Sequence, residues 1–229
     1  MFDTVSLGER LLITLKAAAG APGPQLVLPV GHPQVVLLRP LPARPEFINR
    51  SDVKLLTEWR NRFVAAGAYL TEFQATEART QRWLTEVVVP SNNKILFMVD
   101  DTLGRTIGHM GLGFIDWSLR SGEADNIVRG ADAPRGTMKR ALQELLLWGK
   151  ETLGLQQLGV RVRSDNTAQE FYRKVGFVEV ARAALRRTEE PGMTRWVEDS
   201  TVTKPQLELV CMRWVPHGLG RGQDGATAD

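Results

Sequence analysis

The chain has 229 residues, of which 43% are hydrophobic and 24% charged, and its 29 basic and 26 acidic side chains give a formal net charge of +3. This balance is typical of a globular protein with a sizeable core, and no apolar run is long enough to predict a membrane helix. The small basic excess is spread along the chain, so nucleic acid is not an expected partner. One cysteine and three scattered histidines predict neither a disulfide framework nor a metal site.

The first 34 residues differ in composition from the remainder of the chain. They lack a basic segment followed by an apolar run, so we expect no signal peptide and a cytoplasmic protein. The apolar stretch 10–16 is typical of either a strand or a short helix. The pattern leaves open whether this extension enlarges a sheet, covers a substrate cleft or forms a homodimer contact. We therefore divide the chain into an extension (1–34), a main domain (35–216) and a flexible tail (217–229).

The first half of the main domain mixes helices and strands. A strand is predicted over residues 34–38, where β-branched side chains lie between prolines. Helices are predicted from Ser51 onwards, with apolar residues at helical spacing, and over residues 76–87. Three strands follow at 94–100, 106–115 and 123–129, and the short turns between them predict an antiparallel meander.

The second half alternates between the two types of element. A helix is predicted from Pro134 to about Glu151, then a strand over 158–163 and a helix over 166–175 that ends at Gly176. Strands are predicted at 177–180 and 206–214, separated by a long polar segment. The order of elements predicts a mixed α/β sheet in which a helix directly follows a central strand.

Two strand-to-helix junctions carry candidate chemistry. At the first, the amides at the helix start have no intrahelical partner and lie beside Arg135 and Lys139, which favours a phosphate site. At the second, Asn166 precedes a helix that bears Tyr172. The alternative for this second junction is a capped amphipathic helix with Tyr172 in the core.

The run at 166–177, Asn-Thr-Ala-Gln-Glu-Phe-Tyr-Arg-Lys-Val-Gly-Phe, resembles the last conserved segment of the GNAT acyl-CoA N-acyltransferases. The resemblance covers roughly residues 35–215. It implies an α/β fold with a mostly antiparallel sheet of six to seven strands, flanked by helices, whose central parallel strands splay apart around the coenzyme. Acetyl-CoA or a longer acyl-CoA is the implied co-substrate, without a metal. Residues 129–139 align with the family's pyrophosphate loop, although only Gly136 matches its motif cleanly.

The resemblance also assigns roles to individual residues. The implied coenzyme contacts are Ile127, Val128, Arg129, Arg135, Gly136, Thr137, Met138, Lys139, Asn166 and Tyr172. A neutral amine would attack the thioester directly, a backbone N–H at Ile127 or Val128 would hold the oxyanion, and Tyr172 would protonate the leaving thiolate. Cys211 is interpreted as a core residue.

An ammonium acceptor must also lose a proton, which requires a base. The candidates are Asp125 and His109, followed by Glu123 and Asp116. A carboxylate in mid-strand is uncommon, and the alternative for Asp125 is a structural salt bridge to a nearby arginine. The alternative for His109 is a position in the core or the wall of the site.

The helix segment Trp59-Arg60-Asn61 and the meander strands are similar to GNAT enzymes that acylate nucleotide-linked amino deoxysugars. The resemblance implies a dTDP- or UDP-linked amino sugar as acceptor, and it implies that the polar segment 186–204 borders the acceptor site. The implied acceptor contacts are Trp59, Arg60, Asn61, Trp117 and Asp125. Trp59 could instead fill the core. The remaining alternatives are a ribosomal-protein or N-terminal peptide acetyltransferase, an aminoglycoside acetyltransferase and a non-catalytic coenzyme A-binding module.

Overall fold

Ten strands form one sheet in the computed structural model of the protein, which describes residues 5–20, 26–64 and 69–216. In chain order the strands are β1 (Leu28–Val30), β2 (Val36–Pro40), β3 (Thr71–Glu72), β4 (Ile95–Asp101), β5 (Thr106–Asp116), β6 (Ser121–Arg129), β7 (Gln157–Arg163), β8 (Phe177–Glu190), β9 (Met193–Glu198) and β10 (Leu207–Trp214). Their order across the sheet is β1-β2-β4-β5-β6-β7-β10-β8-β9-β3. The predicted mixed, mostly antiparallel sheet is confirmed, with more strands than the six or seven expected.

Five α-helices accompany this sheet in the described ranges: α1 (Leu7–Ala18), α2 (Arg50–Val64), α3 (Glu77–Trp83), α4 (Thr137–Glu151) and α5 (Ala168–Val175). A π-helical turn, Leu84–Val88, continues α3. Helix α4 begins three residues later than predicted because Gly136 has a left-handed backbone, with φ of +85°, which a helix cannot include. None of the helices in these ranges combines the length and the apolar character of a membrane-spanning helix.

The side chains of β4 point alternately into two cores, one on each face of the sheet. Ile95, Phe97 and Val99 belong to the main core with α4, whereas Leu96 and Met98 belong to a second core with α2. Successive side chains of a strand point to opposite faces, so an almost wholly apolar strand is the expected signature of a sheet between two layers.

The parallel pair β6–β7 is the point at which the sheet opens. The two strands pair only through Ser121, Gly122 and Glu123 of β6, opposite Gln157, Leu158 and Gly159 of β7. Beyond Glu123 the strands separate, and β7 continues instead along β10 from Gly159 to Arg163. The predicted splaying of the central strands is thus present, and it leaves a gap in the middle of the sheet.

The N-terminal extension is an integral part of this fold. Strand β1 pairs with β2 and so enlarges the sheet, which was one of the three alternatives considered. Helix α1 contributes the fully buried Leu12 to the main core. The 3% exposed Lys16 donates from its Nζ to the carbonyl oxygens of Val88, Ser91 and Lys94, at 2.7, 2.5 and 3.2 Å. The extension is therefore bound to the segment that leads into β4. The tail 217–229 lies outside the described residues.

Candidate active site

The gap between β6 and β7 contains a cavity of about 660 Å³, here called the central cavity. Its walls are residues 123–129 of β6, residues 160–163 of β7 and residues 166–168, 171 and 172 of the following junction and helix. Because Gly130 N–H donates to Ile107 O on β5, strand alternation turns the amide of the preceding Arg129 away from β5 and towards the gap. The gap therefore offers a backbone donor to a bound molecule.

A second cavity, here called the helix cleft, has a volume of about 380 Å³ and lies at the N-terminus of α4. The first helical hydrogen bond runs from Arg140 N–H to Gly136 O, so the amides of Met138 and Lys139 precede it. Such amides, together with the helix dipole, favour an anion. The helix cleft shares Ile127, Arg129, Ala168, Phe171 and Tyr172 with the central cavity.

A third cavity of about 640 Å³, here called the arginine cavity, lies on the other side of the central cavity. Four cationic side chains and one carboxylate line it: Arg60, Arg79, Lys94, Arg195 and Asp125. It shares Arg60, Tyr69, Thr71, Phe114, Asp125 and Asn126 with the central cavity. The three cavities thus adjoin in the order helix cleft, central cavity, arginine cavity.

Backbone strain is concentrated where the central and arginine cavities meet. Phe114 and Asn126 have φ of +51° and +53°, and both line the two cavities. Each lies at a register shift between β5 and β6. A positive φ is a costly conformation for a residue with a side chain, and such strain is often kept at functional sites.

Asp125 also lies at this meeting point. Its Oδ2 accepts from Lys94 Nζ and from Asn126 Nδ2, the latter at 2.7 Å, and its Oδ1 accepts from Asn126 N–H at 2.9 Å. The carboxylate is held in one orientation by these contacts. Asp125 is therefore both an ion-pair partner, of a lysine and not of the arginine that the structural alternative expected, and part of the wall of both cavities.

His109 lies on the inner wall of the arginine cavity and is 6% exposed. Its ring stacks on Trp59, with centroids 5.9 Å apart. Burial lowers the pKa of His109 to about 4, against the opposing effects of a backbone hydrogen bond with Asn126 and the charge of Asp125. The imidazole is therefore neutral near pH 7, and its buried Nδ1 makes no hydrogen bond within the described residues.

Tyr172 lines both the central cavity and the helix cleft. Burial, and then the nearby Asp125 and Tyr69, raise the pKa of its phenol well above the usual range. Phe171 and Phe177 contact its ring edge-to-face, with centroids 5.6 and 5.8 Å away. The result is a fixed, neutral O–H donor beside the gap.

Most of the predicted coenzyme contacts lie along this path. Ile127, Val128 and Arg129 line the central cavity, as does Asn166, whose Oδ1 also accepts from Ala168 N–H at 2.8 Å. Gly136, Thr137, Met138 and Lys139 line the helix cleft, although Met138 packs its side chain against Gly108 in the core. Arg135 is exposed and does not line the cleft.

Of the five predicted acceptor contacts, two line a cavity and three do not. Arg60 and Asp125 line the arginine cavity. Trp59 does not, since it is 2% exposed, belongs to the second core and packs so closely on Gly130 that a Cβ there would lie 1.9 Å from the indole. The core alternative for Trp59 is the one the structure supports.

Asn61 and Trp117 also lie away from the three cavities. Asn61 exchanges two hydrogen bonds with the backbone of Ala75, accepting from its N–H at 2.7 Å and donating to its oxygen at 3.0 Å. Trp117 donates from its indole N–H to Asn92 O, near the end of β5. The structure does not support the prediction that Asn61 and Trp117 contact the acceptor, because both side chains are hydrogen-bonded to the backbone of loops.

Several lining residues were not predicted: Tyr69, Phe73, Arg79, Lys94, Arg163, Lys174, Met193 and Arg195. Met193 and Arg195 come from β9, inside the polar segment 186–204 that was expected to border the acceptor site. The buried Arg163 pairs with Asp165 at 2.7 Å and with Glu72, and so joins β7 to β3. A charged residue at the end of an apolar strand was the only signal for Arg163 and Lys94.

The model of the acetyltransferase (GNAT) domain matches residues 36–178. No curated protein sequence matches the chain.

Among solved structures, spermidine N-acetyltransferase from Vibrio cholerae, in complex with CoA and spermine, has a TM-score of 0.58 at 20% identity, covering 78% of this chain and 94% of that one. A chimera of the V. cholerae enzyme has a TM-score of 0.57 at 18% identity, covering 80% and 96%. A dodecameric form of that enzyme has a TM-score of 0.54 at 18% identity, covering 78% and 92%. At these identities the likeness concerns the fold.

Proposed function

The chain belongs to the GNAT family of acetyltransferases and is an acyl-CoA-dependent N-acetyltransferase, and we propose that its acceptor is an anionic small molecule that carries an amino group. The observation that carries the proposal is the meeting of the central and arginine cavities at Asp125 and Asn126. A donor in one cavity and an acceptor in the other can react there without an intermediate on the enzyme.

The donor fits the helix cleft and the central cavity. The unpaired amides at the start of α4, with Lys139 and Lys174 beside them, suit a diphosphate. Ile127 and Arg129 line the gap, where an extended amide-containing arm can pair with the backbone as a strand would. When bound, acetyl-CoA supplies the thioester whose acetyl group is transferred.

The residues of this chain have distinct roles in the proposed transfer. Asp125 accepts the proton of the acceptor ammonium, since it is the carboxylate that lines both cavities in the described part of the chain. The amide of Ile127 donates to the oxygen that becomes negative as the amine attacks. Tyr172, neutral because of its raised pKa, donates its phenolic proton to the departing thiolate.

For the acceptor, we propose a nucleotide-linked amino sugar. Of the four cations that line the arginine cavity, Lys94 and Arg195 are paired with Asp125 and Glu190, whereas Arg60 and Arg79 have no carboxylate partner among the described residues. The cavity is therefore electropositive, which favours an acceptor with a diphosphate and disfavours a polycation. The aromatic rings of Tyr69, Phe73 and Trp83 in the same cavity suit a sugar or a base.

A polyamine is the second candidate, favoured by the fold likeness to spermidine N-acetyltransferase. A polyamine carries several positive charges, and its binding requires carboxylates along the cavity. The described lining of the arginine cavity has only Asp125, already paired with Lys94. The charge of the cavity therefore supports the anionic acceptor over this one.

The two candidates are separated by a thiol-release assay with acetyl-CoA. The acceptor panel contains dTDP- and UDP-linked amino sugars, spermidine, a basic peptide with a free N-terminus and an aminoglycoside. We expect thiol release with a nucleotide-linked amino sugar and none above background with spermidine. Release with spermidine alone would replace the proposed acceptor by a polyamine while leaving the transfer chemistry in place.

A further inference from the structure

Two guanidinium groups in the arginine cavity contact the same aromatic ring. Arg60 lies 4.1 Å and Arg79 lies 3.5 Å from the centroid of Phe73. Arg60 also lies 4.3 Å from the centroid of Tyr69. We call Tyr69, Arg60, Phe73 and Arg79 the guanidinium stack. Burial lowers the pKa of Arg60, and the like charge of Arg79 lowers it further.

The stack has no internal counter-ion. Within the described residues no carboxylate lies within 4.0 Å of either guanidinium, whereas Lys94 and Arg195 in the same cavity pair with Asp125 and Glu190. Residues 65–68, which precede Tyr69 in the sequence, are Ala-Ala-Gly-Ala and carry no acid. Arg60 is partly buried and Arg79 is exposed. A partly buried cation without a compensating charge is costly for a fold, and this favours an external anion beside Arg60.

Unsatisfied donors and acceptors lie at the same place. The Nε of Arg60 is buried and makes no hydrogen bond in the described part of the chain, although one of its terminal nitrogens donates to Thr71 O at 2.7 Å. The Nδ1 of His109, a side chain that is 6% exposed, is likewise buried without a partner on the wall of this cavity. Buried polar atoms left unpaired by the protein mark the position of polar groups of a ligand.

From these observations we infer that the guanidinium stack is a binding subsite for an anionic group of the acceptor, a phosphate or a carboxylate, which Arg60 and Arg79 bind from the side of the arginine cavity. The inference rests on the proposed acceptor side of the enzyme and makes it specific. Arg79 supplies exposed donors at the opening of the subsite, and Arg60 supplies buried ones. Phe73 fixes the spacing of the two groups.

The inference is tested by calorimetric titration of the full chain, with saturating CoA present so that the helix cleft is filled. The probes are UMP, glutarate, uridine and spermidine, of which only the first two carry the anionic group. We expect UMP, glutarate or both to bind at least tenfold more tightly than uridine. Whichever of the two binds identifies phosphate or carboxylate as the preferred group.

Variants locate the subsite. Arg79→Gln should weaken the binding of the anionic probe by about tenfold, the usual worth of one charge-assisted contact. Arg82→Gln, at an exposed arginine of the same helix that lines none of the three cavities, is the matched control and should leave binding unchanged. Equal weakening in both variants, or anionic probes that bind no better than uridine, would overturn the inference.

The outcome is distinguishable from failure of the proposed transfer. CoA binding, measured separately in the same protein, reports on the helix cleft and the central cavity. An enzyme that binds CoA and acetylates spermidine, but binds neither UMP nor glutarate, would keep the transfer chemistry and lose the anion subsite.

Discussion

At the scale of single residues, Tyr172 is the side chain whose surroundings are most clearly matched to a chemical role. Its phenol is buried between two aromatic rings, and its pKa is raised by burial and by the negative charge of Asp125. A phenol in such a place remains protonated throughout the neutral range and can act as a proton donor but not as a base.

We therefore expect Tyr172→Phe to lower kcat by about a hundredfold, a typical contribution of a positioned acid, with CoA affinity unchanged. The measurement is thiol release with the acceptor found in the panel, beside CoA titration of the same variant. Cys211→Ser, at a half-buried side chain of β10 outside the three cavities, is the control and should retain wild-type kcat. An unaltered kcat in Tyr172→Phe would remove the proposed role.

His109 gives the stability of the protein a dependence on pH. Its folded-state pKa, about 4, lies below the ordinary value of 6.5, so the unfolded chain binds more protons between these values. Stability is consequently lost as the pH falls from 6.5 towards 4, and the loss between pH 7 and pH 5 is about 2 kcal/mol.

Urea unfolding of wild type at pH 7 and pH 5 measures this loss, and His109→Phe, which keeps a ring against Trp59, should abolish that part of it. His32→Asn, at an exposed histidine, should keep the wild-type difference. The same difference in wild type and His109→Phe would show that other groups cause the acid sensitivity.

At the scale of elements, helix α1 is fastened to the core by an unusual contact. The Lys16 ammonium is buried among three backbone carbonyls, and burial followed by repulsion from Lys94 lowers its pKa to about 8. At neutral pH it is still mostly protonated. The helix thereby fixes residues 88–94, and with them the Lys94 side chain that orients Asp125.

We expect Lys16→Met to reduce the free energy of unfolding at pH 7 by about 1–3 kcal/mol, because three carbonyls lose their donor. Lys150→Met, at an exposed lysine of α4, should change it by less than about 0.5 kcal/mol. Urea titration of both variants provides the comparison. Equal stabilities would mean that water replaces the ammonium without cost.

The elements that were predictable are those whose periodicity matches a single environment. The β4–β5–β6 meander and helix α4 were predicted because their apolar residues are buried, in the main core and, for β4 and β6, also in the second core. Strand β8 was predicted only to Val180 but extends to Glu190, since both its faces are largely exposed and no alternation marks it. Strand β3 has two residues, and its partner β9 lies far along the chain. Pairing of that kind is set by the fold and leaves no local pattern.

The same distinction applies to the site. Asn166 and Tyr172 lie in one contiguous run and could be predicted from it. Trp59 was assigned to the acceptor by resemblance, although its helical spacing with Val53 and Leu56 already indicated the core. Arg60, Phe73 and Arg79 meet only because the chain returns to α2 after residue 69. Their stacking is a property of tertiary structure.

At the scale of the whole molecule, the cavities cross the sheet from one side to the other through the gap between β6 and β7. We expect CoA to slow amide hydrogen exchange in β6 from Ile127 to Arg129 and at the start of α4, because these segments line the cavities that CoA would fill. The hairpin of β8 and β9 should exchange at the same rate with and without CoA. Protection of the hairpin alone would place CoA elsewhere.

The narrow pairing of β6 with β7 has a mechanical consequence. In the described sheet, one block consists of β1, β2, β4, β5 and β6, and the other of β7, β10, β8, β9 and β3. The two blocks pair only through Ser121–Glu123 of β6 and Gln157–Gly159 of β7. We expect a sheet interrupted in this way to bend at the short paired segment, which acts as a hinge between the two blocks. Helices α4 and α5 pack in the same core as strands of both blocks. We expect the widest thermal excursions at the open end of the hinge, where the coenzyme enters, and the smallest at residues 121–123.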